Sequence, residues 1–193
     1  MKEHTNVAIQ GVKGSFHHAV AQSYYGEHFS LLECETFDAT VKALLDDSAE
    51  QAVMAIENSI AGSIIPNYAL IDQNNLQIVG EYSLSIHHNL MVLPGQTFAD
   101  LKEVHSHPMA LLQCKEFFKD YLHIRLVEAE DTADEARRIS ENTISGIAAI
   151  ASKEAAALYG LSILAPSIQT IKNNVTRFVI IQKKEALVPQ KNI

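Results

Sequence analysis

The chain has 193 residues, 47% hydrophobic and 20% charged, which is the balance of a soluble globular protein with one domain or two small ones. A formal net charge of −8 excludes nucleic acid and anionic membrane as partners, because either requires a basic face. No apolar run reaches the roughly 18 residues that span a bilayer, and the polar start from Met1 to Asn6 has no signal-peptide core, so a cytoplasmic protein is expected.

Val7 to Gln10 is a short apolar run that reads as a strand, and Gly11-Val12-Lys13-Gly14 turns the chain. Ser15 has the chemistry of an N-cap for a helix with Phe16, Ala19, Val20 and Tyr24. The unit only loosely resembles a phosphate loop, yet its helix N-terminus offers backbone N–H groups to an anion. His17 and His18 read as a solvated first turn rather than metal ligands. Leu31 to Glu35 is the next strand, and Thr36 caps a helix with Phe37, Val41, Leu44 and Leu45 at amphipathic spacing. Cys34 and the distant Cys114 read as small buried hydrophobes in a reducing compartment, not a disulfide.

Gln51 to Ile56 reads as a buried strand that ends in Glu57-Asn58-Ser59, then Ile60-Ala61-Gly62-Ser63. Ligands bind at strand ends in open α/β sheets. Asn58 and Ser59 therefore suit a small polar ligand, or cap the helix signalled by Pro66, or do both. Gln77 to Tyr82 is another strand, and Ser83 to Leu93 reads as one strand crossing between two lobes. Thr97 with Asp100 marks a short turn. Val104-His105-Ser106-His107-Pro108 feeds a helix carrying Leu111, Leu112, Cys114, Phe117 and Phe118, so Ser106 and His107 form a second strand-end corner. No carboxylate or cysteine cluster completes a metal site around His105 and His107.

Arg125 to Ala129 is a strand, Asp131 or Thr132 caps a helix, and Arg137 and Arg138 on it read as solvated. Ile147 to Ile150 is a buried strand, Ser152 caps a helix ending at Tyr159-Gly160, and Leu161 to Ala165 is the next strand. Asn173-Asn174-Val175-Thr176-Arg177-Phe178 then leads into a final strand. An arginine beside a threonine hydroxyl at a strand mouth has the chemistry of an anion-binding corner. The tail from Lys183 to Ile193 reads as loose. Alternating strands and helices imply α/β architecture with parallel sheets. The last strand has no helix after it and returns most economically to the first half. That gives a first lobe of residues 1–78 with 172–193, a second lobe of 79–171, and a ligand site in the cleft.

Four motifs carry a family resemblance. Gly11 to Phe16, Ile56 to Ser63, Ser106-His107-Pro108 with Gln113-Cys114, and Asn173 with Thr176-Arg177-Phe178 resemble the signature of prephenate dehydratases, in that family's order. The resemblance implies a two-lobed, periplasmic-binding-protein-like (type II) catalytic domain. It implies conversion of prephenate to phenylpyruvate with loss of water and CO2, no cofactor, no metal, and a homodimer or higher oligomer. It places catalysis on Thr176 with Glu57, and substrate binding on Arg177, Asn58, Ser59, Ser106, Gln113, Phe178 and Ser15. Thr176 would donate to the departing hydroxyl, and Arg177 would hold the pyruvyl carboxylate. His17 stands where the family has a small polar residue, and Gln169-Thr170 where it tends to have Gln-Asp. The chain stops 15 residues after Phe178, too soon for the phenylalanine-sensing ACT domain of many relatives. Arogenate as substrate, and a non-catalytic small-anion binding module, are the alternative readings.

Overall fold

A computed structural model describes residues 4–184. The first elements are β1 (Thr5–Gln10), α1 (Phe16–Tyr25), β2 (Phe29–Cys34), α2 (Phe37–Leu45), β3 (Gln51–Asn58), the two-residue β4 (Gly62–Ser63), α3 (Ile65–Gln73) and β5 (Leu76–Ser85). Then come β6 (Asn89–Val92), β7 (Glu103–Ser106), α4 (Pro108–Cys114), β8 (Arg125–Glu128), α5 (Thr132–Glu141), β9 (Ile147–Ala151), α6 (Lys153–Leu158), β10 (Ser162–Ala165) and β11 (Val175–Lys183). Most of the expected loose tail, 185–193, lies outside the described residues.

The strands form two sheets. One has the order β2-β1-β3-β11-β5 with β4 on β3, and the other β10-β6-β9-β7-β8. Both are mixed, which corrects the expectation of parallel sheets. β1 runs parallel to β2 and β3, but β11 is antiparallel to β3 and β5. Likewise β7 is parallel to β8 and β9, whereas β6 is antiparallel to β9 and β10. A parallel neighbour needs a crossover connection on the sheet's face. β6 and β11 instead enter their sheets directly from the other half of the molecule.

β5 pairs with β11 from Leu76 to Ser85, so the expected lobe boundary at residue 78 falls inside a first-sheet strand. The crossing lies at Ile86-His87-His88, between β5 and β6. Gly80 within β5 serves packing: a Cβ there would collide with the Tyr24 hydroxyl. The outgoing and returning segments are stitched together. Gln169, fully buried, accepts from the His88 amide at 3.0 Å and donates to the Ile86 carbonyl at 3.2 Å. Ile86 N–H donates to Asn174 O at 2.7 Å.

Each sheet is apolar on both faces. Met54, Ile56, Val179 and Ile181 pack with Leu44 of α2 on one side of the first sheet, and Val53, Phe178 and Ile180 with Val20 of α1 on the other. Each such side chain contributes about 1.5–3 kcal/mol by leaving water. In the second sheet Leu90, Val104 and Ile150 pack against Leu111 and Phe118, while Met91 and Ala149 face Ala136 and Ile139 of α5. The two halves also meet through α1 and α6. Ser152 donates to Gly14 O at 2.5 Å and Tyr159 to Lys13 O at 2.6 Å. Gly14 has φ +86°, and a Cβ on it would lie 2.9 Å from Ala155 Cα. Glycine is therefore required there by both backbone and contact.

Candidate active site

The site is built where the end of β3 lies beside the start of β11. Their pairing is Thr176 with Asn58 and Arg177 with Glu57, then slips so that Phe178 faces Ala55. The slip is a β-bulge, with Ile56 as the extra residue on β3. Strict alternation would put Asn58 and Ala55 on opposite faces, yet both line one cavity together with Thr176 and Phe178.

Asn58 sets the direction of a hydrogen-bond relay. Its Oδ1 accepts from the backbone N–H groups of Ile60 and Ala61, both at 2.9 Å. Backbone amides only donate, so that atom is the carbonyl oxygen and the other is the NH2 group. The NH2 group donates to Asn174 Oδ1 at 2.7 Å and Thr176 Oγ1 at 2.9 Å. Asn174 Nδ2 then donates to Gln113 Oε1 at 2.9 Å. Gln113 Oε1 also meets His88 Nε2 at 2.9 Å, so His88 must carry its proton on Nε2. Burial lowers the His88 pKa against the opposing pull of that Gln113 bond, which favours the neutral ring. With the Thr176 oxygen already accepting from Asn58, the threonine's own hydrogen remains available to the cavity.

The cavity has a volume of ≈ 620 Å³, within the range of small-molecule sites. It is lined from both sheets: Ser15, Phe16, Asn58, Thr176 and Phe178 on one side, His88, His107, Gln113 and Asp131 on the other. Among the described residues that line it none is a lysine or arginine, whereas Glu35, Asp38, Glu130 and Asp131 are acidic. Helix N-termini also border it. The starts of α1 at Ser15 to His17, α2 at Thr36 to Asp38 and α5 at Asp131 and Thr132 all border the cavity, and each carries a partial positive charge.

Of the residues expected in the site, Ser15, Asn58, Gln113, Thr176 and Phe178 line the cavity, while Glu57, Ser59, Ser106 and Arg177 do not. Arg177 lies between Thr176 and Phe178 in an extended strand, so its side chain leaves by the other face. There it meets Glu57 at 3.3 Å and Glu81 at 3.6 Å. Ser106 is fully buried and donates to Ile150 O at 2.7 Å. Ser59 is exposed and ties its hydroxyl to Val175 N–H at 2.9 Å. Asn58 does not cap α3, whose N-cap is Ile64 without a side-chain bond. Ser15 does cap α1, accepting from His18 N–H at 3.2 Å.

His17, His88 and Asn174 are cavity residues that the sequence did not single out for the site. The expected solvated pair His17-His18 is enclosed instead: His17 is half-buried in the cavity wall and His18 is buried. His18 accepts from Gly14 N–H at 3.0 Å and is 9% exposed. Burial pulls the His17 pKa down to about 4 and lowers that of His18. Unfolded histidine takes up a proton near pH 6.5, whereas folded His17 does not until about pH 4. The unfolded state thus binds more protons in that window, and stability is lost as the pH falls through it. The melting temperature should drop from pH 6.5 to 4, and drop less steeply in His17→Gln. Parallel melting curves for both proteins across that range would contradict the assigned burial. Arg137 and Arg138 are also engaged, with Asp134 and Glu135 respectively.

The family model described as prephenate dehydratase matches residues 7–186. The chain belongs to the prephenate dehydratase family. Arogenate dehydratase 1 of Petunia hybrida is 41% identical over 185 residues, covering 95% of this chain and 43% of the relative. The chain spans about half the length of the curated relatives it matches. Among solved structures, prephenate dehydratase of Arthrobacter aurescens in complex with L-Phe superposes with TM-score 0.84 at 26% identity, over 96% of this chain and 63% of that one. The quorum-quenching acylase GqqA superposes with TM-score 0.82 at 34% identity, over 97% of this chain and 67% of that one. A putative methionine-binding lipoprotein of Bacillus subtilis shares the fold alone, at TM-score 0.50 and 12% identity, over 98% and 87%. The architecture is thus that of the type II periplasmic-binding-protein class.

Proposed function

We propose that the chain is the catalytic unit of a prephenate dehydratase. The observation that carries this reading is Thr176: its oxygen accepts from Asn58, so its hydrogen is left to donate into a cavity sized for a small molecule. In the reaction the C–CO2 electron pair moves into the ring, the C–O pair leaves with the hydroxyl, and one proton converts that hydroxyl to water. The products are phenylpyruvate, CO2 and water. Thr176 donates its hydrogen bond to the departing oxygen, where charge develops, and solvent resupplies the proton. Asn58, Asn174 and Gln113 hold the threonine and the cavity wall in place. Phe16 and Phe178 pack against the ring. Helix N-termini attract the substrate's carboxylates in place of a guanidinium. Arg177 and Glu57 brace the far face of β11.

A second reading is favoured by the charge of the wall. Four carboxylates and no cationic side chain suit a substrate that carries an ammonium group. Arogenate bears one where prephenate has a keto oxygen, and several relatives are named arogenate dehydratases. Incubating the chain separately with prephenate and arogenate, and following phenylpyruvate and phenylalanine, distinguishes the two. No product from either overturns the enzyme reading in favour of a binding module. The reading also includes a homo-oligomer in a reducing compartment such as the cytoplasm. It is supported by free cysteines at 34 and 114, and by exposed Ile65, Leu112 and Leu122. No helix among the described residues is long and apolar enough to cross a membrane.

A further inference from the structure

His17 sits in the first turn of α1, and its ring packs edge-to-face with Phe37 and Phe178, with centroids 5.5 Å and 5.1 Å apart. All three line the cavity. At the bulge, where β3 and β11 slip, the Ala55 N–H donates to His17 Nε2 at 3.3 Å. That bond fixes the tautomer: Nε2 holds the lone pair, and the ring's proton is on Nδ1. Among the described residues Nδ1 makes no hydrogen bond. The wall therefore contains a neutral N–H donor set between two aromatic rings, and no lysine or arginine among the described residues lines the cavity around it.

Its position relative to Thr176 gives it a use. Phe178 and Thr176 are two residues apart on one strand face, a spacing of about 6.6 Å. The hydroxyl and carboxylate that leave the substrate ring are at opposite ends of that ring, a comparable separation. We propose that His17 Nδ1–H holds the ring carboxylate that departs as CO2, while Thr176 serves the hydroxyl at the other end. This rests on the dehydratase reading above. A neutral donor orients the carboxylate without the full charge of a guanidinium. A cation there would favour the bound anion over the transition state, in which that charge has moved into the ring. When CO2 has formed, the donor faces a neutral molecule and does not retain it.

Two substitutions separate this role from packing. In His17→Gln the amide oxygen reaches the place of Nε2 and keeps the Ala55 bond, but no donor replaces Nδ1–H. In His17→Asn the amide nitrogen takes the place of Nδ1 and the Ala55 bond is lost. Turnover of whichever of prephenate or arogenate the wild type converts is measured, together with binding of phenylpyruvate, which lacks the ring carboxylate. His17→Gln should lose roughly 10- to 100-fold in kcat/KM, bind phenylpyruvate within about twofold of wild type, and be less active than His17→Asn. Unchanged kcat/KM in His17→Gln overturns the inference alone. So does an equal loss of phenylpyruvate binding, which assigns His17 to packing. A wild-type chain inactive on both substrates overturns the dehydratase reading, and this inference with it.

Discussion

Thr176→Val should lower kcat by about 10²- to 10³-fold while leaving phenylpyruvate binding within a few-fold of wild type. Valine keeps the branched shape in an 8%-exposed position, so packing against Phe178 and Asn58 changes little. What disappears is a donor aimed at an oxygen that gains charge only as the C–O bond breaks. Loss of one such donor costs rates of that order. Asn58 retains Asn174 Oδ1 as an acceptor, so the fold should lose only about 0.5–1.5 kcal/mol for the missing hydrogen bond. Steady-state kinetics with a thermal melt checks both parts. A kcat within threefold of wild type removes Thr176 from the reaction.

Asn58→Asp changes one atom's chemistry and should be comparably severe, at least about 10²-fold in kcat/KM at neutral pH. The new carboxylate would keep accepting from the Ile60 and Ala61 amides through one oxygen. Its other oxygen would face Asn174 Oδ1 and Thr176 Oγ1, two atoms that now receive hydrogens from Asn58. The threonine would turn its hydrogen onto that carboxylate and withhold it from the substrate. Asn174 and Gln113 would have to reverse their amides in turn, and His88 to move its proton from Nε2 to Nδ1. Added negative charge would also repel an anionic substrate. Acidification should restore activity in part, because a protonated acid again donates one hydrogen. The measurement is the pH profile of kcat/KM. A profile parallel to wild type, or a loss under threefold, contradicts the relay.

Much of the fold was legible because local chemistry decided it. Ser15, Thr36, Asp131 and Ser152 all cap the helices they were expected to cap, each accepting from a first-turn amide. The return of β11 to the first sheet followed from the lack of a helix after it. The strand directions did not, because antiparallel entry from the other lobe leaves no mark in hydrophobic period. The site was half legible. Motif adjacency joined Thr176 to Arg177, but a strand turns neighbours to opposite faces, and that rule alone would have separated them. Ser106 has the strand-end position expected of a ligand residue, yet a carbonyl on β9 claims its hydroxyl. His17 was missed because the groups that bury it, Phe37 and Phe178, come from other elements, and because its partner amide is fixed by a bulge no pattern announces.

On the dehydratase reading proposed above, the active face of β11 carries Thr176 and Phe178, not Arg177. A crystal structure of the chain with phenylpyruvate tests it directly. The aromatic ring should lie inside the cavity, against Phe178 and within reach of the Thr176 hydroxyl, with Arg177 still paired to Glu57 and Glu81. A ligand carboxylate bound to the Arg177 guanidinium on the opposite face, with the cavity free of ligand, would contradict it.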